Sequence, residues 1–245
     1  MPQLLSAVGV ADSTPVLPPK GLNTSIYLDL NHFSRQTAWA HGFMHAYALW
    51  LGPVLVAAMF VAAYGAAWWR GASRVSAVLV LGGIAELVSL GLNQIVGHAA
   101  QELRPYATHP NALVLVAKAN DYSFPSDHSI VAGGITTSLL LVVGERLWQR
   151  RRAPAGPADG GGGVPGLIRA AAALSVVLGL FLCFARVYVG AHYPGDVVAG
   201  YLLSSLVVLI FSLLRPVVFR AADALDSTAL APVLRRSQPA GRSLR

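Results

Sequence analysis

Charge is scarce in this sequence. Only 12% of its 245 residues are charged, where a soluble domain carries about a quarter, so a water-facing surface could not be covered. Acid is scarcer than base: 11 Asp and Glu stand against 18 Lys and Arg, a formal net charge of +7. The 55% hydrophobic content excludes intrinsic disorder. Cysteine is almost missing. The single Cys183 lies in an apolar run, which excludes an intrachain disulfide. The first twenty residues hold no basic cluster followed by a long apolar stretch, so no cleavable signal peptide is expected.

What the chain has instead is long apolar runs. A bilayer-spanning helix needs about 20 mostly apolar residues. Five stretches fit: Ala46 to Trp69, Val75 to Val96, His128 to Leu147, Leu167 to Val189 and Val197 to Leu214. The expected fold is all-α, a polytopic membrane helical bundle. The first stretch holds Pro53, which a membrane helix tolerates. The second holds Glu86, whose carboxyl should face the bundle interior; it lies too deep for surface chemistry and is expected to be structural. Residues Ser25 to Ala40 are less apolar and predict a helix lying in the interface, with a sixth span as the alternative. This gives an outward interfacial segment at 1–45, a membrane domain at 46–214 and a flexible basic tail at 215–245.

Basic residues sort by loop. The segments after spans one, three and five hold Arg70, Arg74, Arg146, Arg150, Arg151, Arg152, Arg169, Arg215, Arg220, Arg235, Arg236, Arg242 and Arg245. The other side holds Lys20, Arg35, Arg104, Lys118 and Arg186. By the positive-inside rule the first set is cytoplasmic, the C-terminus with it. The arginine clusters thus report topology, and no nucleic-acid partner is expected. The Gly-rich stretch Ala153 to Gly166 predicts a flexible cytoplasmic linker.

Polar residues concentrate at two outward re-entry points. One is the segment Gly97 to Asp127, with Arg104-Pro105 and, at its end, Phe124-Pro125-Ser126-Asp127-His128. The other is the turn from Arg186 through His192 to Asp196. Arg104 and Arg186 offer planar donor forks suited to phosphate oxygens. Pro125-Ser126-Asp127 marks a helix start, where backbone N–H groups and the Ser126 hydroxyl would make an anion site. Two histidines, His128 and His192, can supply the nucleophile and the acid of a phosphoryl transfer. Asp196, four residues after His192, could hold one ring nitrogen and leave the other free to attack. Singly, each residue has a plainer reading as an anchor, a cap or a helix start. Together they point to phosphate chemistry.

These segments resemble the type 2 phosphatidic acid phosphatase superfamily of membrane lipid phosphatases. Its signature is Lys-x6-Arg-Pro, Pro-Ser-Gly-His and Ser-Arg-x5-His-x3-Asp, matched here by Arg104-Pro105, Pro125 to His128, and Ala185-Arg186 through His192 to Asp196. The variants Phe-Pro-Ser-Asp-His and Arg-Val-Tyr-Val-Gly-Ala-His-Tyr-Pro-Gly-Asp are similar to the bacterial undecaprenyl-diphosphate phosphatase branch. The resemblance implies that His192 is a nucleophile forming a phosphohistidine, that Asp196 orients it and that His128 protonates the leaving oxygen. It implies that Arg104, Arg186 and Ser126 hold the phosphate. Asp127 joins the substrate-binding set in the motif's Gly place, its carboxylate expected to point away from the anion. Gly97 stands where the motif has Lys, and Ala185 where it has Ser.

The implied activity is hydrolysis of a polyprenyl diphosphate to the monophosphate at the outer face of a bacterial plasma membrane. No metal or other cofactor is expected, since arginines and a helix N-terminus supply the positive field. Phosphatidic acid or phosphatidylglycerol phosphate is the alternative substrate. A non-catalytic lipid-binding or transport protein is the alternative of another kind. Glu102, His109 and Lys118 in the outer segment are expected to be solvated loop charges.

Overall fold

The computed structural model describes residues 21–152 and 164–225. Among them every regular element is helical: α1 (Leu22–Gln36), α2 (His41–Ala46), α3 (Gly52–Trp69), α4 (Ser73–Ala100), α5 (Pro105–Thr108), α6 (Asp127–Arg152), α7 (Val164–Tyr188), α8 (Pro194–Phe211) and α9 (Arg215–Leu225), with short 3-10 turns and one π-helical turn, Tyr47–Leu51. Five helical segments are long and apolar enough to cross a membrane. The first starts at Ala38, earlier than the apolar run alone indicates, because short helical turns continue it past His41 and His45. Most of the expected linker, and the tail beyond Leu225, lie outside the described residues.

Helices in lipid gain little from burying apolar surface against one another, so close packing of small residues holds them together. The contact between α6 and α8 shows this. At Gly200 an added Cβ would stand 2.6 Å from the Ser126 carbonyl oxygen, and at Gly133 it would overlap the Tyr201 backbone. These two glycines let the start of α6 lie directly on α8. Small hydroxyls cross-link the same helices, as where Ser204 donates to the Ile130 carbonyl at 2.7 Å. An apolar core of Val56, Leu79, Leu139, Val142 and Ile168 fills the other half of the bundle. Large apolar side chains such as Leu87 and Ile95 face outward, as lipid contact requires.

Glu86 lies against α6, where the missing Cβ of Gly134 makes room for its carboxyl. Neither of its oxygens has a hydrogen-bond partner among the described residues. At the N-terminus, α1 is tied to the rest of the fold by two asparagines. Its Asn31 clamps the loop between α5 and α6, donating to the Leu113 carbonyl at 2.7 Å and accepting from the Leu113 N–H at 3.0 Å. Its Asn23 accepts from the Gly195 N–H at 2.8 Å, at the start of α8. The first part of the basic tail is ordered as α9, which packs on α4 and sets Phe219 under the Arg74 guanidinium, 5.6 Å from the ring centroid.

Candidate active site

The up-and-down order of the long helices brings the end of α4, the start of α6, the end of α7 and the start of α8 to one end of the bundle. Each motif sits at one of these ends. α7 closes after Tyr188, and Gly190, at φ +79°, makes the reversal. An added Cβ there would stand 2.5 Å from the Leu113 carbonyl oxygen, so a side chain is excluded on space as well as on backbone conformation. This turn returns His192 to Arg186, six residues earlier. Pro194 then opens α8, and Asp196 in its first turn accepts from the Tyr193 N–H at 2.9 Å.

His192 is 2% exposed, and its partners fix its tautomer. Nδ1 stands 2.9 Å from the Ser123 carbonyl oxygen and 3.4 Å from Asp196 Oδ2. Both are acceptors, so Nδ1 carries the hydrogen. Nε2 faces Arg104 Nη1 at 3.1 Å and Arg186 Nη2 at 3.2 Å. A guanidinium can only donate, so Nε2 presents its lone pair. Burial lowers the His192 pKa to about 4; Arg186 and Arg104 add to this against the opposing pull of Asp196. The ring is therefore neutral at pH 7, with its basic nitrogen aimed at two cations.

The two arginines are held differently. Arg186 is buried and reaches the Ala48 carbonyl through Nη1 at 3.3 Å. Arg104 is gripped by both oxygens of Asp121, at 2.6 Å from Nε and 2.9 Å from Nη2, which leaves Nη1 for His192 and the Ala191 carbonyl. These hydrogen bonds from Arg104 keep the Asp121 carboxyl below the usual carboxylate range. Asp196 is fully buried; its Oδ2 accepts a short bond from the Ser123 hydroxyl.

The other motif residues fall around this centre. His128 donates from Nε2 to the Leu49 carbonyl at 3.3 Å and lies within electrostatic reach of Arg186, His192 and Arg104. Ser126 is fully buried with an unpartnered hydroxyl, and its N–H donates to the Asp196 carbonyl at 3.1 Å. Asp127 turns its carboxylate to Asn93, which donates to Oδ1 at 2.6 Å. A cavity of about 400 Å³ opens beside His192, lined by Asn93, Gly97, Arg104, Asp121, Asp127 and others.

The segment between α4 and α6 contributes more than its sequence shows. Tyr106 ties it together, its hydroxyl donating to the Ala119 carbonyl at 3.0 Å and accepting from the Ala119 N–H at 2.9 Å. Asp121 and Ser123 escaped the sequence reading because no motif spacing marks them; a short run of polar residues just before Phe124-Pro125 is their only signal. Two of the three expected solvated charges are otherwise engaged. Lys118 Nζ stands over the Tyr106 ring, 5.9 Å from its centroid, and His109 packs edge-on against Tyr27 and Tyr193.

Residues 77–220 match the PAP2 superfamily model, more than half of the chain. The chain belongs to the PAP2 superfamily. An undecaprenyl-diphosphatase of Sulfolobus acidocaldarius is 26% identical over 122 residues, 50% of this chain and 48% of that protein. The chain thus spans about half the length of that relative. Undecaprenyl-diphosphatase BcrC of Bacillus subtilis is 28% identical over 157 residues, 62% of this chain and 68% of that one. The putative undecaprenyl-diphosphatase YbjG of Escherichia coli is 26% identical over 183 residues, 75% and 77% of the two chains. A crystal structure of a PAP2-type phosphatidylglycerolphosphate phosphatase from Bacillus subtilis shares the fold. It superposes with a TM-score of 0.51 at 17% identity, over 80% of this chain and 88% of that one.

Proposed function

We propose that this PAP2 protein is a membrane lipid phosphatase that hydrolyses a polyprenyl diphosphate of the undecaprenyl type to the monophosphate, at the outer face of a bacterial plasma membrane. The observation that carries the reading is His192: a neutral ring whose lone pair faces two guanidiniums and whose N–H is tied down. Phosphate oxygens entering between Arg104 and Arg186 would take over those donors and bring phosphorus in front of Nε2.

The steps follow. His192 Nε2 gives its lone pair to the terminal phosphorus, and the bond from phosphorus to the bridging oxygen breaks. That oxygen leaves on the lipid monophosphate and takes the Nδ1 proton of His128, whose Nε2–H stays on the Leu49 carbonyl. Asp196 and the Ser123 carbonyl stabilise the Nδ1–H of the phosphohistidine, as a carboxylate steadies an imidazolium in other nucleophilic sites. Water then attacks phosphorus, gives its proton to His128 and breaks the P–N bond, releasing inorganic phosphate. Ser126 and the first-turn N–H groups of α6 add donors for the phosphate, and Asp127 is kept from it by Asn93. That relatives are undecaprenyl-diphosphatases supports the diphosphate as substrate.

The test is purified protein in lipid vesicles, given polyprenyl diphosphate with chelator present. Phosphate release is expected in the parent, and H192A should be slower by about 10³-fold or more. Equal release by H192A would overturn the nucleophile. Abolition of turnover by chelator would overturn a mechanism run on arginines alone. Faster release from phosphatidic acid than from the diphosphate would reassign the substrate.

A further inference from the structure

Pro53 lies in span one, before the residues that the superfamily model matches. It has no N–H. In an α-helix the N–H of residue 53 would bond the carbonyl of Leu49; in a π-helix it would bond that of Ala48. The turn Tyr47–Leu51 is π-helical, and the Gly52 N–H accordingly goes to the Tyr47 carbonyl. That step withdraws the α-helical donor of Ala48 as well. The Ala48 carbonyl therefore lacks both of its usual backbone donors, and the Leu49 carbonyl lacks its α-helical one.

These are the two oxygens that meet the site. Arg186 Nη1 donates to Ala48 at 3.3 Å and His128 Nε2 donates to Leu49 at 3.3 Å. A proline in a membrane helix frees carbonyls that neighbouring groups commonly satisfy, and on that ground alone the arrangement would be structural. Here the satisfying groups are two residues assigned to the phosphate chemistry, from two different helices, and they take consecutive carbonyls. Arg186 is 5% exposed and its Nε has no partner, so Ala48 is a main anchor of that guanidinium. The Leu49 bond keeps a proton on Nε2 of His128, because a carbonyl can only accept.

We infer that Pro53 and the π-turn before it are a positioning device, which denies donors to the Ala48 and Leu49 carbonyls so that these hold Arg186 and the proton-bearing nitrogen of His128. The inference rests on the roles given to those two residues above. It makes span one part of the site, although none of the signature motifs lies on it.

The test compares two replacements at residue 53 in the full chain, each assayed in vesicles with polyprenyl diphosphate. P53A restores an N–H that competes for these carbonyls. Replacement of Pro53 by lactic acid, an ester with a methyl side chain, removes both the ring and the N–H. P53A should lower kcat by about tenfold, within the range for a displaced acid, while the ester variant stays within about twofold of the parent. Equal rates for the two variants, whether both fall or both hold, would overturn the inference. H192A is run alongside: activity in that variant strikes the reading of the site itself, whereas a P53A and ester result concerns only the device.

Discussion

The two ends of the bundle use the same residue type in opposite ways. At the site end Arg186 is buried and Arg104 nearly so, and each guanidinium has directed partners: a histidine nitrogen, a backbone carbonyl or a carboxylate. At the far end Arg70 and Arg220 are exposed, and Arg215 makes a looser pair with Glu145 at 3.7 Å. An exposed arginine at a membrane boundary marks a side. An arginine taken out of water costs several kcal/mol unless its donors are met, and the buried pair with aimed donors is the one the proposed phosphate site would use. Net charge cannot separate the two uses, and burial does.

Experiments can break this contrast, the largest effect coming first. H192A should lose about 10³-fold or more in phosphate release, because the lone pair that the two guanidiniums frame is gone. R186K keeps the charge but loses the fork that bridges Ala48 and His192, and kcat/KM should fall by about 100-fold. R220A at the far end should stay within about twofold of the parent in the same assay. If R186K and R220A behaved alike, burial would be no guide to function here. D121N weakens the grip on Arg104, so kcat/KM should fall by about fivefold, with full charge still on the arginine. The smallest effect is in pH. His192 must be neutral to attack, and its pKa lies at about 4 rather than the ordinary 6.5. The acid limb of kcat/KM should therefore fall near pH 4, with little change between pH 7 and 5.5. An acid limb near 6.5 would mean that His192 is far less buried in the working protein.

Much of this molecule was legible in the chain itself. Hydropathy located the five spans because lipid exposure demands apolar residues on most faces of a helix. Arg104, His128, Arg186, His192 and Asp196 carried their own spacing, and the turn between Arg186 and Asp196 is short enough for spacing to fix proximity. The rest depends on contacts that sequence distance hides. Asp121 and Ser123 act through a loop whose path is set by Tyr106 and by Asn31 of α1, a helix far away in sequence. Pro53 was visible as a residue that a membrane helix tolerates, yet hydropathy says nothing about which carbonyls it frees. The tail beyond Leu214 looked flexible from its basic residues, but the half-buried Val218 and Phe219 give α9 apolar surface to pack on the bundle.

Gly97 has a consequence for how this chain can change. An added Cβ there would meet the Phe124 carbonyl oxygen at 3.2 Å, on the segment that carries Asp121 and Ser123 to the site. Restoring the motif lysine would bring back a cation and at the same time press on the loop that aims Arg104 and His192. Position 97 and the course of residues 121–124 are therefore coupled: any side chain at 97 needs the Phe124 carbonyl to give by a few tenths of an ångström, so a cation gained there is set against a shift in the loop.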